Sequence, residues 1–169
     1  VDALRYRARD WVLHDPDPLT RAAGQALLDA DDQAALADHF DGELRFGTAG
    51  MRGALGPGPR RMNRAVVIRV GAGLAAYTLS VQPDARERGA VVGFDARHGS
   101  RVFAEDTARV LAAAGIPVIL SQGVGPTPCL AHDVVFFKAA IGVMVTASHN
   151  PAGDNGYKVY WSNGAQIIP

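Results

Sequence analysis

The chain has 169 residues, of which 48% are hydrophobic and 20% charged, enough for one domain with a sizeable core and unlike a disordered segment. Its 17 basic and 17 acidic residues cancel to a formal net charge of zero with no basic block, which argues against nucleic acid as a partner. The single cysteine, Cys129, cannot form an internal disulfide and is expected as a buried thiol; no run of eighteen apolar residues and no signal peptide are seen, so a cytoplasmic protein without a membrane partner is expected.

Residues 1–41 read as two or three helices. Leu4, Trp11 and Val12 fit one amphipathic face, residues 19–28 and 34–40 supply others, and Thr20 and Asp31-Asp32 are the expected N-caps. Residues 44–46 read as a short strand before a glycine-rich loop, and Gly56-Pro57-Gly58-Pro59 as a second, ordered loop. Asn63 caps a long helix through Val67, Val70, Leu74 and Tyr77. Gly71 and Gly73 each weaken that helix by about 1 kcal/mol relative to alanine, which suggests close packing against a sheet.

Residues 90–94 form a strand that ends at Asp95-Ala96-Arg97-His98-Gly99. Ser100 caps a helix to Ala114, and Gly115 ends it. Residues 116–120 are the next strand. After the loop Gly123-Val124-Gly125-Pro126, Thr127-Pro128 caps and opens a helix to about Lys138. The apolar run 141–145 is a buried-type strand. A further strand spans 157–162, and Asn163-Gly164 turns it back on 165–168 as a tight hairpin. This alternation predicts an α/β fold: a mixed, mostly parallel sheet sandwiched between helices, with an N-terminal helical extension over residues 1–43.

The chemistry concentrates after the 141–145 strand, in Thr146-Ala147-Ser148-His149-Asn150-Pro151. Asn150-Pro151 and Asp154-Asn155-Gly156 are turn signals, so Ser148 is expected on an exposed loop at a strand end, where α/β folds collect reactive groups. A serine hydroxyl needs help to act as a nucleophile. His149 is its neighbour, and adjacent residues of an extended backbone point apart. A G-x-S-x-G elbow is absent as well, so a serine hydrolase is disfavoured. Gly123 and Gly125 lack the continuation of a dinucleotide motif. Lys158 shares a strand face with Tyr160 and Ser162, and without further context is a solvated lysine on a half-exposed strand. Arg52, bracketed by Gly50 and Gly53, is either a surface arginine in a turn or a bidentate anion ligand on a tightly bent loop.

Thr146 to Pro151, with Phe46-Gly47-Thr48-Ala49-Gly50-Met51-Arg52-Gly53 upstream, resembles the signature loops of the α-D-phosphohexomutases, the phosphoglucomutase and phosphomannomutase family. The resemblance covers residues 44–169, which look like the first of that family's domains, the one carrying the phosphoserine loop. Trp11, Asp17-Pro18 and Thr20-Arg21 are similar to the phosphoglucomutase-2-like branch. The resemblance implies intramolecular phosphotransfer on a hexose phosphate through a phosphoserine and a bisphosphorylated sugar. It implies Ser148 as the phosphorylated residue, Lys158 as general base or acid, Arg52 as ligand of the phosphoryl group or substrate, and His149 and Asn150 as positioning groups. It further implies magnesium, held by one phosphate oxygen on Ser148 and by a metal loop of a later domain, and a hexose 1,6-bisphosphate as intermediate and activator. Asp95-Ala96-Arg97 and Pro126-Thr127-Pro128 match family patterns and read mainly as scaffold. The chain looks like a fragment that relies on the remaining domains of the same polypeptide, and alone it is not expected to turn over. A non-catalytic phosphosugar-binding module and a phosphopentomutase substrate choice stay open as alternatives.

Overall fold

The computed structural model describes residues 3–168. The first part folds as three helices, α1 (Ala3–His14), α2 (Pro18–Asp29) and α3 (Gln33–Phe40). They close a small core of their own around Ala8, Val12, Leu28, Leu36 and Phe40, with Trp11 edge-on to Phe40. α2 starts where Asp17 accepts from the Leu19 amide at 2.9 Å and Pro18 takes the first helical position. Thr20, expected as that cap, lies inside the first turn instead and donates to buried Asp15 at 2.6 Å. Asp32 caps α3, as its aspartate pair predicts.

A five-stranded sheet follows, ordered β1–β5–β4–β2–β3, with β1 at Met51–Ala54, β2 at Ala90–Phe94, β3 at Val118–Leu120, β4 at Ile141–Val145 and β5 at Asp154–Trp161. β2 pairs parallel with β3 and β4, while β5 runs antiparallel between β4 and β1. Four strands therefore point one way and β5 alone opposes them, which is the mixed, mostly parallel sheet expected. Period-two alternation divides the side chains between its faces. Ala90, Val92 and Phe94 with Ile141, Val143 and Val145 pack under α4 (Arg64–Val81) and α6 (Ser100–Ala113), which lies beyond the one-turn α5 (Ala85–Arg88). Val91 and Met144 pack under α7 (Thr127–Phe136) on the other face.

Several local expectations are corrected. Residues 44–46 are not a strand; the edge position belongs to Met51–Ala54, paired in register with Asp154 to Tyr157. The Asp154-Asn155-Gly156 string is accordingly strand rather than turn. Gly156 serves a close approach: a Cβ there would sit 2.6 Å from the Thr146 carbonyl and 2.7 Å from that of Met51. A Cβ on Gly71 would meet Val110 of α6 at 3.5 Å and Tyr157 of β5 at 3.9 Å, whereas one on Gly73 would meet nothing within 4 Å. Gly99, at φ 78°, precedes α6, and the Ser100 hydroxyl donates to Asp95 instead of accepting from a helix amide. Thr127 is the first residue of α7 instead of its cap, and that helix ends before Lys138, whose φ is 54°. After the Asn163-Gly164 turn the returning segment makes one bridge, Tyr160 with Gln166, rather than a second full strand. Cys129, expected as buried, is exposed on α7. α4 is long and apolar enough to cross a membrane by length and composition, which the simple count of apolar residues missed. Its apolar face lies in the core, with Val66, Val67, Leu74 and Ala75 buried.

Asn63 caps α4 as the sequence predicts, and does more. Its side-chain oxygen accepts from the Val66 amide, and its nitrogen donates to the carbonyls of Gly56 and Gly58 at 2.9 and 2.8 Å. The side chain is buried, so Asn63→Ala removes the cap and leaves those carbonyls without it. A loss of about 2 kcal/mol is expected, read as a lowered midpoint in urea denaturation.

Candidate active site

Loops following β2 and β4 leave the same edge of the sheet because those strands run parallel. The loop after β4 carries Ser148. Its backbone is left-handed there, with φ 59°, and its amide donates to the Thr146 hydroxyl at 2.9 Å. A serine reaches that region only when its surroundings hold it. This conformation overturns one expectation. Side chains that would point apart in extended backbone are brought together, and His149 Nδ1 lies 3.4 Å from Ser148 Oγ. The separation is long for such a bond. Among the described residues no other group bonds the His149 ring, so the orienting carboxylate of a triad is missing.

β1 brings Arg52 to this loop. Its Nη1 donates to Asn150 Oδ1 at 3.2 Å and its Nε to the Ala49 carbonyl at 3.3 Å, while Asn150 in turn donates to Asp154 at 2.9 Å. Arg52 stands opposite Gly156 in the ladder, so Lys158, two residues on, shares its face of the sheet. Lys158 is only 9% exposed, unlike the solvated lysine of the simpler expectation. Gly50 is what allows the Thr48–Gly50 turn to close over it. Its φ is 88°, and a Cβ there would stand 2.6 Å from the Tyr157 carbonyl and 3.1 Å from Lys158 Cγ. Burial first, and then the neighbouring Arg52 charge, holds the Lys158 ammonium below its ordinary pKa. Among the described residues no carboxylate pairs with either cation. Ser148, Asn150, Arg52 and Lys158 are thus assembled on one side, and no carboxylate among the described residues pairs with the two cations.

Two further residues stand out. Arg97 donates to the carbonyls of Ser148, Asn150, Pro151 and Asp154 at 2.7 to 3.0 Å. Asp95 accepts from the hydroxyls of Ser100 and Thr146 at 2.7 and 2.6 Å. What reads as scaffold in the sequence is scaffold for the serine loop itself. The available signal was position: Asp95-Ala96-Arg97 ends one parallel strand, as Thr146-Ala147-Ser148 ends its neighbour.

Magnesium does not fit these residues alone. Among the described residues no three His, Cys, Asp or Glu side chains cluster to hold a metal ion. Asp95 is taken by two hydroxyls and Asp154 by Asn150.

This α/β domain presents a serine in a left-handed turn beside two cations that have no carboxylate partner among the described residues, an arrangement suited to an anionic group. Residues 43–169 match the family described as phosphoglucomutase/phosphomannomutase, alpha/beta/alpha domain I, and the chain belongs to that family. It is 42% identical to the phosphopentomutase of Homo sapiens over 171 residues, which takes in 98% of this chain and 28% of that protein. It is 41% identical to the glucose 1,6-bisphosphate synthase of Mus musculus, over 93% of this chain and 26% of that one. The solved structure of a candidate phosphomannomutase from Thermus thermophilus superposes with a TM-score of 0.66 at 35% identity, covering 75% of this chain and 27% of that one. The chain thus spans little more than a quarter of the length of these relatives. Several branches match about equally, so the N-terminal motifs do not single out the phosphoglucomutase-2-like branch.

Proposed function

We propose that the protein carrying this domain moves a phosphoryl group within a phosphosugar by way of Ser148. The observation that carries this is the grouping of the Ser148 loop with two cations, Arg52, bonded to Asn150 of that loop, and Lys158 beside Arg52, neither with a carboxylate partner among the described residues. In the forward half-reaction the bond from phosphorus to Ser148 Oγ breaks and a bond to the free sugar hydroxyl forms. Lys158, its pKa lowered by burial and by Arg52, takes the proton of that hydroxyl. The sugar bisphosphate turns over in the site. In the return half its other phosphoryl group passes to Ser148, and protonated Lys158 returns the proton to the oxygen left behind. Arg52 holds the transferring group by its guanidinium, and Asn150 and His149 keep the serine side chain placed. The magnesium expected from the family would take from this chain only a phosphate oxygen on Ser148. The rest of the site is assigned to further domains of the same polypeptide.

On substrate, the relative named phosphopentomutase aligns over 98% of the chain, which favours a pentose phosphate over the hexose phosphate first expected. The test is the ratio of kcat/KM for ribose 1-phosphate and glucose 1-phosphate with the full-length protein. A ratio of at least about 10 in favour of the pentose is expected, the order that a few well-placed contacts supply. A ratio below one restores the hexose reading, and no conversion of either sugar overturns phosphotransfer itself.

A further inference from the structure

Arg97 is too fully engaged to bind a substrate. A guanidinium offers five N–H donors. Here Nη2 serves the Ser148 and Asn150 carbonyls at 2.8 and 2.7 Å, and Nη1 those of Pro151 and Asp154 at 2.7 and 3.0 Å. Nε faces Asp95 Oδ2 at 3.5 Å, and the side chain is 14% exposed. Four carbonyls on both sides of the turn are thereby gathered to one point. In a trans peptide the carbonyl and the next amide point in opposite directions, and none of these bonds is cis. Drawing the Ser148 carbonyl to Arg97 therefore turns the His149 amide away from it, and drawing the Pro151 carbonyl does the same to the Ala152 amide. Among the described residues neither amide donates a hydrogen bond. Asp95 completes the arrangement from the other side. Its Oδ2 accepts from Thr146 Oγ1, which itself accepts from the Ser148 amide.

We infer that Arg97, oriented by Asp95, is a positioning residue that fixes Ser148 in its left-handed turn and presents the His149 and Ala152 amides to the phosphoryl group on Ser148. The inference rests on the phosphotransfer reading above for its function, and on the hydrogen bonds alone for its geometry. Lysine cannot replace this arginine, because three donors on one nitrogen cannot span four separated carbonyls.

Two readouts on the full-length protein separate this role from others. Arg97→Lys is expected to lower kcat on the order of 10²-fold, the scale of a misplaced reacting group, with KM held within about threefold. Amide deuterium exchange should quicken in residues 146–153 and stay unchanged in β2 and β4. A kcat near wild type, a raised KM with kcat retained, or unaltered exchange in 146–153 would each overturn the role. Should Arg97→Lys unfold the protein, Asp95→Asn, which keeps the side chain's shape, must show the same local exchange and the same fall in kcat. If the wild-type protein converts no phosphosugar while the exchange still changes locally, the phosphotransfer reading fails and the clamp stands.

Discussion

Ser148→Ala in the full-length protein is expected to lower turnover of its phosphosugar by at least about 10⁴-fold, the scale of losing a covalent nucleophile. No neighbouring group can take its place: Thr146 Oγ1 is committed to Asp95 and to the Ser148 amide, and the His149 ring lies beside the serine rather than beyond it. Thermal denaturation should separate this loss from misfolding. Ser148 sits at φ 59°, a region that opposes any side chain with a Cβ. Ser148→Gly should therefore be equally inactive yet more stable by about 1 kcal/mol, since glycine enters the left-handed region without that clash. A Ser148→Gly protein that retained turnover would remove the hydroxyl from the mechanism.

Lys158→Met is expected to lower kcat by about 10² to 10⁴-fold, the contribution of a positioned acid or base, while phosphosugar binding changes much less because Arg52 remains. The same substitution should not destabilise the domain. Lys158 is buried next to Arg52 with no carboxylate partner among the described residues, so its charge opposes folding, and methionine fills similar space without charge. The sign follows from linkage. A lysine whose folded pKa is lowered binds fewer protons folded than unfolded, so wild-type stability rises as pH climbs through that lowered value. The methionine variant's advantage is then largest near neutral pH and fades in alkali. Steady-state kinetics, a direct binding measurement and melting temperatures across pH decide the matter. An unchanged kcat with a raised KM would make Lys158 a binding residue only.

The strands that bury both faces were legible to the residue. The apolar runs of β2 and β4 have no competing pattern, and the structure ends them where the sequence does. Asp154-Asn155-Gly156 was misread because glycine next to aspartate and asparagine signals a turn and close backbone approach alike, and only the partner strand distinguishes them. The same pairing moved the edge strand from residues 44–46 to Met51–Ala54. Within the site, the resemblance implies roles for Ser148, Arg52 and Lys158, and the structure bonds Arg52 to Asn150 of the serine loop and sets Lys158 beside Arg52. The burial of Lys158 was not expected, since it depends on Gly50 closing a turn over a strand that lies about a hundred residues away in sequence. Nor could local pattern show a serine at positive φ, or the approach of His149 that follows from it. Arg97 escaped because its partners are main-chain carbonyls, which every sequence has.

The most direct measurement is to incubate the full-length protein with a sugar bisphosphate and map the covalent phosphate by tandem mass spectrometry. One phosphoryl group on Ser148, lost again when excess sugar monophosphate is added, is the expected result. Phosphate on another residue, or none on the 146–151 peptide while the protein turns over, would contradict transfer through Ser148.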